Sequence, residues 1–483
     1  MDLSKRKTWG LLAGAAIIGL ATLLPSAGPA RADDIVLRMA VPDWPPTRIM
    51  KDLADKYYKA PSGNHVTLEP DFIPWPDYYT RLNASLTSGE KKYQMLVSDS
   101  QWLGAFIDGG YYLKLNKYID ADPQLQAVFK DLHPNLINDY STYPHKTPNY
   151  YGFPQMPDVL INYYRKDVFC DDGEQKAFKD KFGYKLPCDP AEMDKVTWDQ
   201  WADFGKFFMR KKGEQLAGKT LDDDFYGISF QAGKGYDFSS MQVLTMMYQD
   251  GDGIAGIWDE TKAPDSHAEG AVNSPGAVKS FEHFLSLLDY MPPVAKTGTM
   301  DIFKTDELFR EGKVASNIQW IGFAESTINP ETSKVAGKVD FAMIPGTKLA
   351  NGKFVQWANI GGQPFVITTW NSDTVVKEAL DFCKWWLSTD TQKKFAAAGG
   401  QSGLKSVYST PEYLTYRPWN RAFGPSLDWQ LDVWHVPPFF ELLVEQQEEF
   451  DKAITGQKSA KDALDTIAGF QENLLKEQGL IKE

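Results

Sequence analysis

The segment Phe309-Arg-Glu-Gly-Lys-Val-Ala-Ser-Asn-Ile-Gln-Trp320 contains successive signals of an α/β architecture. We predict a helix that ends at Gly312, because glycine enters the left-handed conformation at a helix end without a Cβ penalty. A short strand follows from Val314 to Ile318, and Trp320 comes just past its end. Because ligand crevices in α/β proteins open at strand ends, Trp320 is either a core residue or a flat apolar surface beside a ligand.

The first 32 residues have the pattern of a secretory signal peptide. Lys5, Arg6 and Lys7 precede an apolar run from residue 10 to 24, and Ala30-Arg-Ala32 forms a small-x-small cleavage site. The run is too short to cross a membrane comfortably, and no comparable run follows. We therefore predict an exported, periplasmic protein that does not span the membrane and begins near Asp33.

The charge of the chain is strongly acidic. The first 32 residues hold four of the 51 Lys and Arg residues and one of the 64 acidic residues, so the remainder carries a net charge of −16. This charge argues against nucleic acid or an acidic membrane surface as the partner. The length is sufficient for two lobes.

The cysteines and histidines predict one disulfide and no metal site. Cys170 and Cys188 flank a loop rich in Lys, Asp and Gly, and a disulfide between them would stabilise an exported protein by about 3 kcal/mol in the chain-entropy model. Cys383 lies in an amphipathic helical pattern and is predicted to be a buried free thiol. The six histidines show no paired spacing, so we predict no zinc.

Strands and helices alternate from the start of the predicted mature chain. The predicted strands are Ile35–Val41, Val66–Phe72, Gln94–Ser98, Val159–Tyr164, Val339–Ile344 and Pro364–Thr368. The predicted helices include Thr47–Tyr58, Tyr78–Thr87, Trp102–Asp108, one from a capping box at Thr197 to Lys212, one capped by Ser274, one capped at Thr389, Pro438–Ile454 and Ser459–Lys476. This alternation is typical of a parallel, doubly wound α/β sheet.

The sequence contains no convincing motif for catalysis or cofactor binding. Gly213-Glu-Gln-Leu-Ala-Gly-Lys-Thr220 matches a phosphate loop by letter, but it follows a helix and precedes three aspartates that would repel phosphate. Asp250-Gly-Asp-Gly253 lacks the later ligands of a calcium loop. No Gly-x-Ser-x-Gly elbow or His-Glu-x-x-His motif occurs, so we predict no catalytic residues and no cofactor.

Aromatic residues beside turns are the remaining functional signal. They are Trp44, Trp75, Trp102, Tyr236, Trp320, Trp357, Trp419, Trp429 and Trp434. Sugars stack their C–H faces on such rings, and their hydroxyls need polar partners such as Asp43, Asp99, Asp158 and Gln363. For each single aromatic residue, packing in the core is an equally good interpretation. Trp198, Trp201, Trp385 and Trp386 lie in helical patterns and are assigned to packing.

The order of several landmarks resembles the periplasmic solute-binding proteins of ABC importers, in particular the carbohydrate-binding group that includes maltose-binding protein. The landmarks are Tyr79–Gly89, Asp99-Ser-Gln-Trp102, Gly109-Gly-Tyr-Tyr-Leu-Lys-Leu115, Tyr151-Gly-Phe-Pro154, Asn162-Tyr-Tyr-Arg-Lys-Asp167, Thr197-Trp-Asp199, Phe309–Trp320, Ile360-Gly-Gly-Gln363 and Gly456–Leu464. They extend over nearly the whole mature chain. Each is loose alone, but their order is specific for the family.

The resemblance implies two α/β lobes, doubly wound and joined by crossing hinge strands, with a sugar in the cleft between them. Lobe I would comprise residues 33–155 plus 345–402, and lobe II residues 156–344 plus 403–483. The hinges would lie near Phe153–Asp158, Met343–Gly346 and Gly400–Lys405. Such lobes close around their ligand by hinge bending. The segments Cys170–Cys188 and Asp250–His267 look like insertions relative to the family.

The resemblance also implies the site, because each family position maps onto a residue of this sequence. The candidate sugar-binding residues are Asp43, Trp44, Asp99, Ser100, Trp102, Asp158, Lys234, Tyr236, Trp320, Gly361, Gly362, Gln363, Arg417 and Trp419. Trp320 matches the stacking aromatic of the family. Arg417 and Trp419 follow Gly400-Gln-Ser-Gly403, which replaces the usual proline-containing turn.

The expected function is therefore that of a monomeric, non-enzymatic periplasmic receptor that delivers a sugar or oligosaccharide to the permease subunits of an ABC importer. A receptor for a polyol or another polar solute is the first alternative. A phosphorylated ligand fits poorly, because phosphate requires Arg, Lys or helix N-termini rather than aspartates. An exported glycoside hydrolase is the alternative from another class, since it would share the aromatic and acidic residues.

Overall fold

The structure, a computed structural model, describes residues 34–250, 253 and 255–482. The predicted signal peptide lies outside the described residues. None of the described helices is long and apolar enough to cross a lipid bilayer.

The elements alternate in the first part of the chain, and helices dominate its end. The strands are β1 (Asp34–Pro42), β2 (His65–Ile73), β3 (Met95–Val97), β4 (Gly152–Arg165), β5 (Gln215–Leu216), β6 (Lys219–Thr220), β7 (Tyr226–Ser229), β8 (Val314–Trp320), β9 (Val339–Met343), β10 (Thr347–Lys348), β11 (Phe354–Val355), β12 (Ala358–Ile367) and β13 (Gln430–Leu431). The helices are α1 (Pro45–Tyr57), α2 (Trp75–Thr87), α3 (Leu103–Asp108), α4 (Asn116–Ala121), α5 (Pro123–Asp131), α6 (Pro134–Ser141), α7 (Lys166–Phe169), α8 (Asp172–Phe182), α9 (Pro190–Met193), α10 (Trp198–Phe208), α11 (Phe238–Asp250), α12 (Pro275–Leu287), α13 (Ile302–Arg310), α14 (Ala324–Ile328), α15 (Asp373–Trp386), α16 (Thr389–Ala397), α17 (Lys405–Tyr408), α18 (Tyr413–Tyr416), α19 (Asn420–Leu427), α20 (Phe439–Ile454) and α21 (Ala460–Glu477).

One mixed sheet of nine strands runs through the molecule, in the order β2-β1-β3-β12-β4-β8-β7, with β13 also on β12 and β9 on β4. The β1–β2, β1–β3 and β7–β8 pairs are parallel, whereas β12 and β4 run antiparallel to each other. The α/β fold predicted from the alternation of elements is confirmed. The sheet is mixed because two antiparallel strands join its parallel halves.

Strands β4 and β12 are these joining strands. The first half of β4 pairs with β12, and its second half, Leu160–Arg165, pairs with β8 and β9. All fourteen residues of β4 are buried, which is expected of a strand covered on both faces. A β-bulge interrupts the β4–β12 register between Gln363 and Pro364. Lobe I is the side that carries β1–β3, and lobe II the side that carries β7–β9.

Several boundaries differ from the sequence prediction. The largest differences are at β4, which begins at Gly152 instead of Val159, and at β12, which begins at Ala358 instead of Pro364. Strand β8 extends to Trp320, so the indole lies on the last strand residue rather than past it, because Trp320 pairs with Leu160. Helix α10 ends at Phe208 instead of Lys212, because the backbone of Arg210 pairs with Phe225. Helix α16 is capped by Ser388 instead of Thr389, because the Ser388 hydroxyl accepts a hydrogen bond from the Thr391 N–H. The caps predicted at Thr197 and Ser274 are confirmed.

The segment around the predicted second hinge contacts lobe II. Gly346 forms a bridge with Thr197, and the Gln249 side chain donates to the carbonyl oxygens of Pro345 and Trp357. The chain reaches lobe I only within β12, where Phe365 pairs with Val97 of β3. We therefore propose that the second crossing lies in β12 rather than at residues 343–346, which would assign residues 345–357 to lobe II.

The cysteines and the packing tryptophans lie as predicted. Cys170 and Cys188 form a disulfide, with a Cα–Cα distance of 5.0 Å, and Cys383 is a buried free thiol. The four tryptophans assigned to packing, Trp198, Trp201, Trp385 and Trp386, all belong to or pack against hydrophobic clusters.

Candidate functional site

A cleft with about 610 Å³ of atom-free space opens between the lobes at the joining strands. Its lining residues are Trp44, Trp75, Asp99, Gln101, Asp158, Asp237, Phe238, Met241, Ile302, Phe303, Trp320, Phe323, Ile360, Gly361, Gly362 and Gln363. They come from strand ends and helix starts of both lobes and from β4 and β12.

Trp320 and Gly361 fit directly against each other. A Cβ atom at Gly361 would lie 2.6 Å from the indole of Trp320, so only glycine permits this contact. The Tyr163 hydroxyl donates to the Trp320 carbonyl oxygen at 2.6 Å and fixes the backbone at that point. Gly362 has a φ of +90°, a conformation that other residues adopt only with strain. Of the glycine pair predicted to approach the cleft, Gly361 therefore supports the indole of Trp320, whereas Gly362 packs against β4.

Trp44 also lines the cleft and lies directly before α1. Its ring packs on Gly322 of lobe II, where a Cβ would lie 2.7 Å away. Trp75, at the start of α2, is near-parallel to Trp102 with ring centroids 6.0 Å apart. The two indoles at the edge of lobe I thus face the cleft together with Trp320.

Asp158 lies on β4 in the lining of the cleft and is 2% exposed. Its Oδ1 accepts from the backbone N–H groups of Val159, at 3.0 Å, and Gly322, at 3.2 Å. Burial raises the pKa of Asp158 to about 8, although these backbone hydrogen bonds oppose the rise. At neutral pH the carboxyl therefore keeps a proton that it can donate.

Asp99 and Asp237 meet across the cleft through Gln101. The Gln101 backbone N–H donates to Asp99 and its side-chain Nε2 to Asp237, each at 3.2 Å. The Trp75 side chain also bonds to Asp237. Burial raises the pKa of Asp237 to about 7; burial and the nearby Asp237 and Asp432 raise the pKa of Asp99 well above its usual value.

Three of the residues that line this cleft have buried polar atoms without a hydrogen-bond partner in the described structure. They are Trp44 Nε1, Gln101 Oε1 and Gln363 Oε1. Buried polar atoms of folded proteins are rarely left unpaired. One is a donor and two are acceptors, so a molecule that both accepts and donates hydrogen bonds would satisfy all three.

The cleft brings together half of the residues that the sequence predicted. Lining residues among them are Trp44, Asp99, Asp158, Trp320, Gly361, Gly362 and Gln363. The others, which do not line it, are Asp43, Ser100, Trp102, Lys234, Tyr236, Arg417 and Trp419.

Trp102, Ser100 and Tyr236 form a layer behind the cleft wall. Trp102 has no exposed surface, and its Nε1 donates to the Tyr236 hydroxyl. Ser100 is likewise buried. This layer supports Trp75, which stacks on Trp102 and meets the Tyr236 ring edge-on. These three predicted residues therefore hold the wall rather than form its surface.

The remaining predicted residues are engaged elsewhere. Asp43 pairs with Arg48 at 2.8 Å, Lys234 pairs with Glu448, and Arg417 pairs with Glu325 at 2.6 Å. Trp419 is fully buried in a hydrophobic cluster and packs its ring against Phe341. Position in the chain order indicated these residues, but the direction of a side chain depends on the fold around it.

The sequence prediction omitted several lining residues. Trp75, Gln101 and Asp237 are polar or aromatic, whereas Phe238, Met241, Ile302, Phe303, Phe323 and Ile360 are apolar. Gln101 and Asp237 adjoin predicted positions, and Trp75 had been recognised as an aromatic beside a turn. The sequence therefore indicated the positions of Gln101 and Asp237 through adjacent residues, and that of Trp75 through its own ring beside a turn. The apolar residues have no local signal that separates them from core residues.

Solved structures share this architecture. The ribitol-bound ABC-transporter solute-binding protein of Agrobacterium radiobacter K84 has a TM-score of 0.71 and 21% identity, covering 92% of this chain and 99% of that one. The D-mannitol-bound solute-binding protein of Agrobacterium vitis S4 has a TM-score of 0.70 and 19% identity, and the match covers 92% of this chain and 99% of that one. The maltose-bound MalE3 of T. maritima has a TM-score of 0.69 and 19% identity, and the match covers 92% of this chain and 100% of that one. At these identities the likeness concerns the two-lobed fold.

The sequence itself matches a family. The bacterial extracellular solute-binding proteins match over residues 43–393, most of the chain. The matched region contains β2 to β12, all of the residues that line the cleft, and both joining strands. This match agrees with the fold that the resemblance predicted. It also agrees with the two-lobed fold of the similar structures. This chain belongs to the bacterial extracellular solute-binding protein family.

Proposed function

We propose that this protein captures a sugar or polyol in the cleft and delivers it, as a monomer in the periplasm, to the permease subunits of an ABC importer. The observation that carries the proposal is the set of unpartnered atoms Trp44 Nε1, Gln101 Oε1 and Gln363 Oε1 beside three indole rings. A hydroxyl group both donates and accepts, so a polyhydroxylated ligand suits all three atoms.

The indoles supply the second half of the recognition. Trp44, Trp75 and Trp320 line the cleft from both lobes. Sugar C–H faces pack on such rings, and the ring contact adds to the hydrophobic gain. A ligand that touched rings of both lobes would bind their closed arrangement better than an open one, which is the condition for a ligand-driven shift.

The charge of the lining favours an uncharged ligand. Within the described structure, no Lys, Arg or His lines the cleft, whereas Asp99, Asp158 and Asp237 do. Phosphate and carboxylate groups need cationic or backbone N–H partners. The raised pKa values of the buried aspartates keep protons available for hydrogen bonds to hydroxyls. The ribitol, D-mannitol and maltose of the similar structures agree with such a ligand.

A thermal-shift screen followed by calorimetry tests the proposal. The panel contains ribitol, D-mannitol, maltose and other sugars, with glycerol phosphate as the anionic comparison. Ligands that bind only the native state raise its stability once their concentration exceeds Kd. We expect at least one neutral compound to stabilise the protein and glycerol phosphate to leave it unchanged. Stabilisation by the phosphorylated compound alone would overturn the proposal.

Trp320→Ala locates the ligand in the cleft. We expect the variant to remain folded and to bind more weakly by about 1–3 kcal/mol, because the stacking surface is lost. Arg417→Ala is the matched control, since that residue was predicted by sequence but pairs with Glu325 away from the cleft. Equal affinities of the two variants would place the ligand elsewhere. Release of products from oligosaccharides would instead support a hydrolase.

A further inference from the structure

A second cavity holds a cluster of histidines and carboxylates that the sugar-binding proposal does not use. It is lined by residues of α6, of the following loop, of segment 257–261 and of segment 428–434, and it contains about 1070 Å³ of atom-free space. His145 and Glu260 lie in its wall, with Asp139 and Asp432 beside them. His435 packs its ring against that of His145, with centroids 4.1 Å apart.

Each histidine has one nitrogen held by a carboxylate. His145 Nε2 lies 2.9 Å from Asp139 Oδ1, and His435 Nε2 lies 2.9 Å from Asp432 Oδ2. Histidines that bind metals almost always have their second nitrogen bound in this way, because the carboxylate fixes the ring and its tautomer. Both Nδ1 atoms are thus the ones left to bind something else.

The two histidines and Glu260 bring their ligand atoms close together. His145 Nδ1 lies 2.7 Å from Glu260 Oε1, and His435 Nδ1 is buried without a hydrogen-bond partner in a residue of zero exposure. One ligand atom from each of His145, Glu260 and His435 lies within 4.8 Å of the others. The His435 backbone N–H donates to both oxygens of Glu260, at 3.1 and 3.0 Å, and so orients the carboxylate.

The charge of the cluster calls for a cation. Asp139, Glu260 and Asp432 have side chains that are 5%, 11% and 2% exposed. In the described part of the chain, the cationic groups within 4.0 Å of these carboxylates are the two histidines alone. Buried carboxylates are normally paired or coordinate a metal. Even with both imidazoles protonated, the three carboxylates would leave the cluster with a net negative charge.

We propose that His145 Nδ1, His435 Nδ1 and a Glu260 carboxylate oxygen bind a divalent transition-metal ion, for which Zn²⁺ is the best match. Two imidazoles and one carboxylate are a ligand set that zinc prefers, with bonds of about 2.0–2.2 Å. Ligand atoms of a tetrahedral site lie about 3.3 Å apart. The present separations reach at most 4.8 Å and would contract by up to about 1.5 Å, whereas the 2.7 Å between His145 Nδ1 and Glu260 Oε1 would lengthen by about 0.6 Å. A water molecule would be the fourth ligand. Asp139 and Asp432 are positioning residues.

The site gives the inserted segment Asp250–His267 a role. Glu260 is separated from His145 by 115 residues and from His435 by 175. No local histidine spacing reveals such a set, which is why the sequence predicted no metal. A bound ion would fasten the inserted segment to the loop after α6 and to the segment just before α20.

Zinc binding to the untagged, chelator-treated full chain tests the proposal by calorimetry and by metal analysis after dialysis. We expect one zinc ion per chain, together with a rise in the unfolding temperature on adding Zn²⁺. Glu260→Gln is nearly isosteric and removes a ligand charge, so zinc should no longer be retained. His267→Ala is the matched control, because His267 pairs with Glu472 at 2.8 Å on the surface without a second histidine.

Asp432→Asn keeps all three ligands. It tests the site independently if Glu260→Gln fails to fold. We expect it to weaken zinc binding by about 10–100-fold, as for other carboxylates that orient a ligating histidine. Circular dichroism verifies that every variant is folded. Absence of stoichiometric zinc in the wild type, or equal retention by wild type and both cluster variants, would overturn the proposal and leave the cluster as an ion-pair network.

Discussion

The cleft and the histidine cluster both bury three carboxylates, but their surroundings prepare them for different ligands. In the cleft, Asp158 and Asp237 are surrounded by indoles, amides and backbone N–H groups, and burial raises their pKa values to about 8 and about 7. In the cluster, each carboxylate contacts an imidazole at hydrogen-bond distance. A protonated carboxyl among rings suits a neutral hydroxyl, whereas an array of imidazoles and carboxylates suits a cation. The comparison shows that the partners of a buried aspartate, more than its presence, indicate what a site binds.

The largest expected effect comes from filling the space between Gly361 and Trp320. Gly361→Val should reduce sugar or polyol affinity by at least about 100-fold, or about 2.7 kcal/mol, because the indole must move into the cleft. Zinc binding should not change, since the cluster does not contact Gly361. Calorimetry with both ligands measures the two effects.

Gly276→Ala is the control for that variant. Gly276 lies in α12 with open space at its Cβ position, so its alanine variant should bind both ligands normally. Sugar affinity of Gly361→Val within threefold of the wild type would mean that the indole retreats from the cleft. A loss of zinc binding would mean that the two regions are coupled.

The next largest effect is a change in how the free energy of unfolding depends on pH when Asp158 is replaced. Burial raises the pKa of Asp158 from 3.8 to about 8, so between these values the folded state holds a proton that the unfolded chain has lost. The free energy of unfolding therefore falls as pH rises through this window, by up to about 1.4 kcal/mol per pH unit for one group. Asp158→Asn should make the decline shallower in urea denaturation at pH 5–8.

Asp71→Asn provides the opposite case for the same measurement. Hydrogen bonds from Lys92 and Tyr93 lower the pKa of Asp71, so its carboxyl is ionised in both states above pH 5. Its contribution is lost only as pH falls below that range. The slope between pH 5 and 8 should stay that of the wild type. An unchanged slope in Asp158→Asn would show that this aspartate is ionised in the folded protein.

The smallest effect on binding should come from the layer behind the cleft. Tyr236→Phe removes the acceptor of the Trp102 Nε1 hydrogen bond, so stability should fall by about 1–3 kcal/mol. Because Tyr236 does not line the cleft, we expect sugar affinity to change by less than about threefold. Denaturation and calorimetry together separate the two quantities. A larger loss of affinity than of stability would bring Tyr236 into contact with the ligand.

The sequence predicted the fold better than the site, for a physical reason. Periodicity and caps are local, so β1, α12 and β8 were recognisable from their own residues, and Trp320 could be placed at a strand end. Whether an aromatic faces the cleft is decided by packing, which is why Trp419 is core although it follows the family order. The histidine cluster depends entirely on contacts between distant segments. Its ligands have no pattern in the chain.

The position of β12 has a consequence for how this chain acquires its structure. β12 pairs with β3 on one side and β4 on the other, although both precede it by a long stretch of chain. The hydrophobic core of lobe I likewise extends from Ile35 to Phe395. An emerging chain therefore cannot complete its first sheet until the late strand is synthesised, and such non-local pairing makes folding slow. The N-terminal part alone would expose the edges of two central strands, which are templates for aggregation.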